Sequence, residues 1–447
     1  MGFPDPGRPS KKPSAASAAR RCSIQLITQT LSPAGSVTAM DKSQLTSVFR
    51  TTIAALDPAD LVAAALHRRG LDKGELPVTV LALGKAAAGM VDGAGRVFGA
   101  RMSGVAVGPH SVELPPQVAG FVGSHPVPDV SSVVAGEALL AAAAAAPVDG
   151  LVVCLVSGGG SALVEAPVAG ISIGDVAALT ERLLVSGAPI AELNVVRRAL
   201  SRIKGGGLAA AIRSPRLVTL AISDVGVAPP EAIASGPTLA PTPEPGRARW
   251  ILEQYGLLDG LEPALLRALD QETPPVIRSQ DFAVIADGTT AAEAAGAAVA
   301  AMGLRAHVVA EPLSGEARDT AVRVVAAGTH SADVAVYWGE TTVTVTGTGS
   351  GGRNHEAALA AALAIGDRPG AFLAGGTDGI DGSTAAAGAV VDSSTVVVGR
   401  AAGLDPSGYL EANDSGGFFA AVPGQIVTGP TGTNVADLWL CSVAAGS

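Results

Sequence analysis

The chain has 447 residues, more than a single hydrophobic core usually organises, so its length predicts two domains. Hydrophobic residues make up 48% of it and aromatic residues only 3%, so the core must consist mainly of Ala, Val, Leu and Ile. The net charge of −10 disfavours nucleic acid or an anionic membrane as a partner. Three scattered cysteines and no apolar run of membrane-spanning length indicate a protein of the reducing cytoplasm.

The first 40 residues differ in composition from the rest. They hold five basic residues between positions 8 and 21 and one acidic residue, Asp5, among many Pro, Ser and Ala. Such a segment is typical of a transit peptide, and it also fits a start codon placed too early, with Met40 as the true first residue. We favour the second interpretation because sequence typical of a folded domain begins directly after Met40, and we expect residues 1–40 to be disordered.

Residues 41–242 alternate between valine-rich runs and alanine-rich amphipathic runs. The predicted strands are Val78–Leu83, Gly104–Val107, Leu151–Val156 and Leu217–Ile222. The predicted helices between them are Ala86–Phe98, Val133–Ala146, Ile173–Ser186 and Glu192–Ile212. This alternation predicts an α/β domain with a doubly wound, Rossmann-like parallel sheet. Four prolines in segment 237–245 predict a linker, so we place the domain boundary between residues 242 and 243.

Residues 243–447 show a second series of strand patterns with helices between several of them, which predicts a second α/β domain. The predicted strands lie near Phe282–Ala286, His307–Ala310, Val334–Trp338, Thr342–Thr346, Ala371–Ala374, Gly388–Val391, Ile426–Thr428 and Leu438–Cys441.

The stretch Thr341–Leu363 carries the strongest functional signal. Its β-branched alternation predicts a strand at Thr342–Thr346, followed by glycines and then by a helix that begins near Arg353. Unpaired N–H groups at a helix start bind anions, and the guanidinium adds a fork suited to phosphate or carboxylate. A plain glycine-rich connection with a solvated arginine is the alternative. The predicted phosphate-binding residues here are Gly349, Gly351, Gly352 and Asn354.

Two loops of the first half have a similar character. Lys85 lies between a strand and a helix start, where its ammonium can meet a phosphate, although the loop is not a Walker A motif. Ser157 ends a buried strand and is a candidate for substrate binding. A serine nucleophile is unlikely to be present because Leu163 stands where a hydrolase elbow needs glycine. The predicted phosphate-binding nest of this loop comprises Gly158, Gly159, Gly160 and Ser161.

A polar stripe occurs at helical spacing in residues 192–208. Asn194, Arg197, Ser201 and Lys204 would share one face of a continuous helix, opposite an apolar face. A solvated surface is the common explanation of such a stripe. In a functional interpretation, Asn194, Arg197 and Lys204 would bind a substrate.

Candidate carboxylates follow two other strands. Asp224 comes after the strand Leu217–Ile222, and Asp378 lies in an Asp-Gly loop that is also a common turn sequence. Hard oxygen ligands of this kind suit Mg²⁺, and Asp224 could also accept a hydroxyl proton. His125, beside two prolines, is interpreted as a packed loop residue. Hydroxyls and an amide predict further nucleotide contacts at Thr377, Thr431, Thr433 and Asn434.

Together these segments resemble the glycerate 2-kinase family, whose C-terminal half is called the MOFRL domain. The resemblance runs in order over about residues 43–443. The matching segments are GKAA at 84–87, HPVPD at 125–129, SGGGSAL at 157–163, N-x-x-R-x-x-x-S-x-x-KGG at 194–206, SDV at 223–225, IASGPT at 233–238, GGRN at 351–354, TDGIDG at 377–382 and TGPTGTN at 428–434.

The resemblance implies a cytoplasmic two-domain α/β enzyme that phosphorylates D-glycerate at its 2-hydroxyl with ATP and Mg²⁺. It implies that Lys85 and Arg353 are catalytic, in a cleft between the domains. The chain departs from the family at Gly226–Ala228, where a Gly-Asp pair is usual, and this weakens the metal assignment. Ser350 replaces a frequent Arg, and His355 a common Gln. A monomer and a homodimer are both compatible with the sequence.

Two other classes of function were weighed. Gly347, Gly349 and Gly352 satisfy G-x-G-x-x-G, as in a nicotinamide oxidoreductase, and some relatives carry the name hydroxypyruvate reductase. The acidic partner expected ~20 residues further on is missing, however, because Asp378 lies farther away within its own loop. A non-catalytic sensor of sugar acids would not need Lys85 and Arg353 together. Phosphoryl transfer, which needs positioning and charge stabilisation, is therefore favoured.

Overall fold

The protein is described by a computed structural model that covers residues 39–239, 244–270, 281–329 and 332–445. Residues 1–38 of the tail that is predicted to be disordered lie outside the described residues. The predicted domain boundary between residues 242 and 243 also lies outside them. Both therefore stay predictions. From residue 39 onward the described chain belongs to one compact unit.

The described strands form two six-stranded sheets. In chain order the strands are β1 (Val78–Leu83), β2 (Met102–Gly108), β3 (Val118–Val122), β4 (Leu151–Ser157), β5 (Leu217–Ile222), β6 (Asp281–Ala286), β7 (Ala306–Val308), β8 (Val334–Gly339), β9 (Ala371–Gly376), β10 (Gly388–Asp392), β11 (Gln425–Ile426) and β12 (Asp437–Cys441).

Helices cover both sheets, and none in the described ranges is long and apolar enough to cross a membrane. They are α1 (Lys42–Ala55), α2 (Pro58–Arg68), α3 (Ala87–Phe98), α4 (Val130–Ala145), α5 (Gly160–Leu163), α6 (Ile173–Val185), α7 (Ile190–Ala199), α8 (Gly207–Ala211), α9 (Arg247–Gln254), α10 (Pro263–Asp270), α11 (Gly288–Ala301), α12 (Ala317–Ala327), α13 (Arg353–Ile365), α14 (Ser393–Ala401), α15 (Pro406–Glu411) and α16 (Ser415–Ala421).

The first sheet has the strand order β3-β2-β1-β4-β5-β6, and all neighbouring strands are parallel. Every residue of β1, β4 and β5 is buried, as expected for a sheet covered on both faces. The chain order reverses between β1 and β4, which places a ligand-binding crevice outside the carboxyl ends of these strands. The predicted doubly wound, Rossmann-like sheet is confirmed.

The second sheet has the order β11-β10-β9-β12-β8-β7 and is mixed, since only β7 and β8 are parallel. Helix α1, from the start of the described chain, packs on this second sheet, and the ring of Phe49 lies directly over Gly375 of β9. In contrast, β6 belongs to the first sheet although it follows the Pro-rich segment. The chain therefore passes between the two sheets more than once.

The strand predicted at Thr342–Thr346 is wrong. Only Thr342 makes a β-bridge, with Glu316, and Thr344 bonds instead to the Glu316 carboxylate. The preceding strand β8 already has β7 and β12 on its two sides, so the segment finds no free edge there. The alternating β-branched residues favour a strand locally, but the tertiary structure overrides this preference.

The continuous helix predicted at Glu192–Ile212 is also wrong. Helix α7 ends at Ala199, and α8 begins only at Gly207. Between them Ser201 forms a β-bridge with Pro167, and Gly205 and Gly206 adopt positive φ angles that end the helical path. The four polar residues of the stripe therefore do not share one helical face.

We expect Met40→Ala to lower the free energy of unfolding by about 2–4 kcal/mol, as for other buried methionines. Met40 is 1% exposed within the apolar cluster of α1, and its backbone N–H donates to the Ser442 hydroxyl at 2.7 Å. Urea unfolding would measure the change. Val130→Ala, at a 68% exposed position, should change the same energy by less than about 0.5 kcal/mol. Equal effects of the two substitutions would contradict the buried placement of Met40.

Candidate active site

A tight turn after β1 positions Lys85. Gly84 has φ +120°, and a Cβ there would lie 2.2 Å from the Ser157 hydroxyl oxygen, so only glycine fits. That hydroxyl accepts the backbone N–H of Ala86 at 3.0 Å, and the Lys85 N–H donates to the Gly158 carbonyl at 2.9 Å. Ser157, predicted to bind substrate, is buried and fastens this turn to the end of β4. Its role is to position Lys85.

A cavity of about 760 Å³ adjoins this turn. It lies beside the carboxyl ends of β1, β2 and β3, and the loops after β9 and β11 of the second sheet form its opposite wall. Lys85, His125, Asp378 and Thr433 all contribute to its lining. Since the residues come from both sheets, the cavity fits the predicted cleft and is of the size that small-molecule sites have.

Two carboxylates meet the lysine here. Asp378 lies with an Oδ2 atom 3.4 Å from the Lys85 ammonium, and Asp224 accepts the Asn434 amide at 3.3 Å. A Cβ on Gly158 would lie 1.8 Å from the Asp224 carboxylate, so the glycine makes room for it. Burial raises the pKa of Asp224, although Lys85 and other positive groups oppose the shift. The site thus holds the Lys85 ammonium and two carboxylates, and burial raises the pKa of one of them, Asp224.

Arg353 begins α13 and is held by acidic neighbours. Its Nε and Nη2 atoms both bond to the buried Asp437 carboxylate, and Nη2 also donates to Glu340 at 2.8 Å. Burial alone would lower its pKa, but Asp437 and Glu340 outweigh this and raise it, so the guanidinium stays charged. Sequence reasoning missed both acids. Their only signal was the position next to predicted strands, at the end of β8 and the start of β12.

The helix start predicted to bind phosphate is filled by a residue of the chain itself. The Asp381 carboxylate accepts the backbone N–H groups of Asn354 at 3.0 Å and His355 at 2.8 Å. The amide of Asn354 also bonds to Asp381 and to the indole of Trp439. The helix start thus binds an anion, but this anion is a carboxylate of the chain itself.

The glycines of this loop likewise serve packing. A Cβ on Gly349 would lie 2.3 Å from the Cβ of Asp414, one on Gly351 2.8 Å from the nitrogen of Gly416, and one on Gly352 2.5 Å from Asp381. None of the three is among the residues that line the cavity. Packing within the chain therefore explains these three glycines, and their predicted phosphate contacts stay a prediction.

The stripe residues separate into two kinds. Lys204 is 1% exposed and its ammonium pairs with the equally buried Glu165, so it offers no donor to a substrate. Burial lowers its pKa, and Glu165 opposes this. Asn194 instead belongs to a hydrogen-bonded chain, since its side-chain oxygen accepts the Ser235 hydroxyl at 3.1 Å, which meets the Ser161 hydroxyl at 2.8 Å. Arg197 lies one turn further along α7, and burial lowers its pKa.

The other predicted nucleotide contacts differ in whether their side chains are already hydrogen-bonded within the chain. Thr377 is buried and donates to the Ala436 carbonyl, and Thr431 donates to the Thr377 carbonyl, so both hydroxyls shape the loops. The buried Thr433 hydroxyl has no hydrogen-bond partner within the described residues and lines the cavity, as a ligand contact would. Asn434 holds Asp224, as described above.

His125 was interpreted as a packed loop residue, but it lines the cavity. It lies near the Lys85 side chain, since a Cβ on Gly159 would be 3.1 Å from Lys85 Cγ and 3.6 Å from His125 Nε2. Burial, and then the lysine's charge, lower the pKa of His125. At neutral pH an uncharged imidazole is therefore favoured at this wall of the cavity. The segment HPVPD, one of those that match the family, was the signal in the sequence that could have identified His125.

The fold and these residues define an α/β protein with a ligand cavity between two sheets, whose charged lining residues are Lys85 and Asp378. A family model described as a domain of unknown function (DUF4147) matches residues 44–270, and the MOFRL family model matches residues 333–437. The chain belongs to the glycerate 2-kinase family, as the sequence resemblance predicted.

Relatives of known name match over most of the chain. A D-glycerate 2-kinase from Thermotoga maritima is 34% identical over 88% of this chain and 95% of its own. A protein from Agrobacterium vitis, provisionally named a hydroxypyruvate reductase, is 37% identical over 88% of this chain and 92% of its own. The crystal structure of glycerate kinase from Thermotoga maritima superposes with a TM-score of 0.83 at 33% identity, covering 90% of this chain and 99% of that chain.

Proposed function

We propose that this protein transfers a phosphoryl group from ATP to the 2-hydroxyl of D-glycerate. The observation that carries the proposal is that Lys85 and Asp378 pair at the wall of one cavity between the two sheets, with the buried Asp224 close enough for the lysine's charge to affect its pKa. These are the groups that phosphoryl transfer requires, namely a cation for the phosphates, carboxylates for a metal ion and a proton acceptor. Relatives named as glycerate kinases support the substrate assignment.

The residues present fit ATP. Gly158 and Gly159 carry no side chains, and this lets the Asp224 carboxylate and the Lys85 side chain lie close to the backbone of this loop. Lys85 and the start of α3 adjoin the cavity, and positive charge of this kind suits phosphate oxygens. When bound, ATP supplies the phosphoryl group. We propose that Lys85 and Arg353 stabilise the charge on that group, while Gly158, Gly159, Gly160, Ser161, Thr433 and Asn434 surround the phosphates.

A Mg²⁺ ion fits if the nucleotide completes its coordination. No group of three or more metal-ligating side chains lies together within the described residues. Mg²⁺ in kinases, however, is commonly held by one or two carboxylates together with phosphate oxygens and water. Asp378 lines the cavity and Asp224 lies nearby, and when bound the ion would neutralise charge on the phosphates. We propose Asp378 as its protein ligand, and Asp224 as the next candidate if Asp378 is not.

Asp378→Asn should raise the Mg²⁺ concentration needed for half-maximal activity by about tenfold, and more than it raises the KM for D-glycerate. The substitution keeps the shape of the side chain and removes its negative charge. A Mg²⁺ titration at saturating ATP would measure the change, and Asp367→Asn, outside the cavity lining, is the matched control. An unchanged titration would leave Asp224 as the better candidate for the metal site.

The second substrate needs a carboxylate site and a proton acceptor. Asn194, joined to the glycine loop through Ser235 and Ser161, and Arg197, which lies one turn further along α7, are the groups that we propose for the glycerate carboxylate. Asp224 is proposed to take the proton of the 2-hydroxyl as that oxygen attacks phosphorus. Because burial raises its pKa, this carboxylate is a stronger base than an exposed aspartate.

As the pH is lowered, kcat should therefore begin to fall at a higher pH than it would if the base were an exposed aspartate. Asp224 must be ionised to accept a proton, and raising its pKa moves the loss of the ionised form upward in pH. We expect a kcat that decreases about tenfold per pH unit below this pKa. Asp224→Asn should lower kcat by ~10²–10⁴-fold and abolish the acidic limb. An unaltered limb in that variant would show that another group is the base.

The reductase alternative lacks structural support. No strand precedes the glycine fingerprint, whose loop packs on Asp414 and Asp381. In the first sheet, where a dinucleotide would bind, β2 ends at Gly108, and Pro109 and His110 follow it, so no acidic residue is placed there for a ribose. We propose a cytoplasmic location because the described cysteines, Cys154 and Cys441, are buried and form no disulfide, and a monomer or homodimer stays a prediction.

Incubation of the purified protein with ATP, Mg²⁺ and D-glycerate tests the function directly. We expect ADP and 2-phosphoglycerate in equal amounts, with the position of phosphorylation identified by phosphorus and proton NMR. Incubation with L-glycerate should yield much less product. Oxidation of NADH by hydroxypyruvate, without any ADP formation from glycerate, would overturn the proposal.

A further inference from the structure

The cavity has a second, apolar side that the catalytic groups do not use. It is formed by the end of β2, the loop that follows and β3, and includes Ala106, Val112, Leu114, Pro115, Val118 and Phe121. In this fully described stretch none of the lining residues is acidic, lysine or arginine, and His110 and Ser111 carry its polar side chains. D-glycerate has no apolar part that would use such a surface.

The apolar side adjoins the turn that carries Lys85. The Gly84 N–H donates to the Val107 carbonyl at 3.1 Å, and a Cβ on Gly108 would lie 3.9 Å from the Gly84 carbonyl oxygen. The cavity is therefore polar where Lys85, Asp378 and Thr433 lie and apolar along β2 and β3. A ligand that fills it needs polar groups at one end, toward Lys85, Asp378 and Thr433, and a flat or apolar group at the other.

We infer that the apolar side is the subsite for the base of the nucleoside triphosphate. The inference rests on the proposed kinase function and places the base over β2 and β3, with the phosphates at Lys85. Apolar and aromatic side chains suit the faces of a purine, and ligands of doubly wound sheets lie outside the carboxyl ends of the strands. The base then contributes affinity through its contact area, separately from the phosphates.

Binding of ATP and of inorganic tripolyphosphate, measured by calorimetry on the full-length protein with Mg²⁺, separates the two contributions. Gly108→Leu is the main variant, because residue 108 has no positive φ and a Cβ there has no neighbour closer than 3.8 Å. Val112→Asn, at a half-exposed position, removes apolar contact without a risk to folding. Val134→Asn is the matched control at a position of similar exposure on α4, outside the cavity.

The leucine side chain should take the place of the base on this surface. Gly108→Leu should therefore weaken ATP binding about tenfold, which corresponds to the base losing roughly 50 Å² of apolar contact. Val112→Asn should weaken it about threefold by the same relation. Tripolyphosphate binding should change less than about twofold in both variants, and the control should change neither ligand's affinity. Unchanged ATP affinity in both variants, or an equal loss for both ligands, would overturn the inference. Wild-type protein that binds ATP but forms no phosphoglycerate would instead refute the proposed function and leave the subsite supported.

Discussion

Replacing Lys85 by methionine should lower kcat by at least ~100-fold, with a much smaller effect on the KM for D-glycerate. The substitution removes a point charge at nearly constant length. Charge on the transferring phosphoryl group changes during the reaction, so a cation aimed at it stabilises the transition state more than the bound substrates. Steady-state kinetics at saturating ATP would measure both constants, and Lys73→Met, at an exposed position, is the matched control.

The same variant should alter the pH profile. The Lys85 ammonium lies 3.4 Å from Asp378 and favours the ionised form of Asp224, whose pKa it holds down against the effect of burial. Without the ammonium the pKa of Asp224 should rise further, and the acidic limb of the rate should move to higher pH. A loss of activity with an unchanged pH profile would mean that Lys85 and Asp224 do not act in one site.

Much of the first sheet could be predicted from the sequence. Buried parallel strands form continuous apolar runs, and β1, β4 and β5 lie where those runs were found. The turn at Lys85 and the glycines at 158–160 could also be predicted, because close approach of backbone to a neighbouring group leaves glycine as the only fitting residue. In the structure these glycines do adjoin Asp224, Lys85 and Ala234.

The second half shows what local patterns could not reveal. A glycine loop before a helix start has the same sequence signal whether its anion is a ligand or a carboxylate of the chain. Here Asp381, 27 residues away, occupies the start of α13, and only the fold brings the two together. For the same reason the buried pairing of Lys204 with Glu165, 39 residues apart, was not predictable from helical spacing.

Arg353 was identified as a catalytic candidate, but its acidic partners were not. Glu340 and Asp437 come from β-strand ends that lie side by side only because β12 pairs with β8 in the sheet. Isolated acidic residues next to strands carry no distinctive pattern. The electrostatics of the site therefore depend on sheet order, which the sequence of a mixed sheet specifies weakly.

Arg353→Lys should lower kcat by at least ~100-fold while changing the KM for D-glycerate little. Lysine keeps the positive charge but cannot make the forked contact with Asp437 and also reach Glu340, so its charge should no longer be aimed at the phosphoryl group. Arg305→Lys is a matched control, because Arg305 makes the same forked contact with the buried Asp333, away from the cavity. Both variants should lose stability on heating, and only Arg353→Lys should lose activity.

Combining Arg353→Lys with Lys85→Met gives the sharper test. The two cations come from different sheets, and both favour the ionised form of Asp224, so they act on one small region. If both act on the same phosphoryl group, removing either already disables its stabilisation, and the double variant should be little slower than the slower single variant. Fully multiplicative losses in kcat, or a change confined to KM, would show that Lys85 and Arg353 act on separate groups. In that case the shared site between the sheets would have to be abandoned.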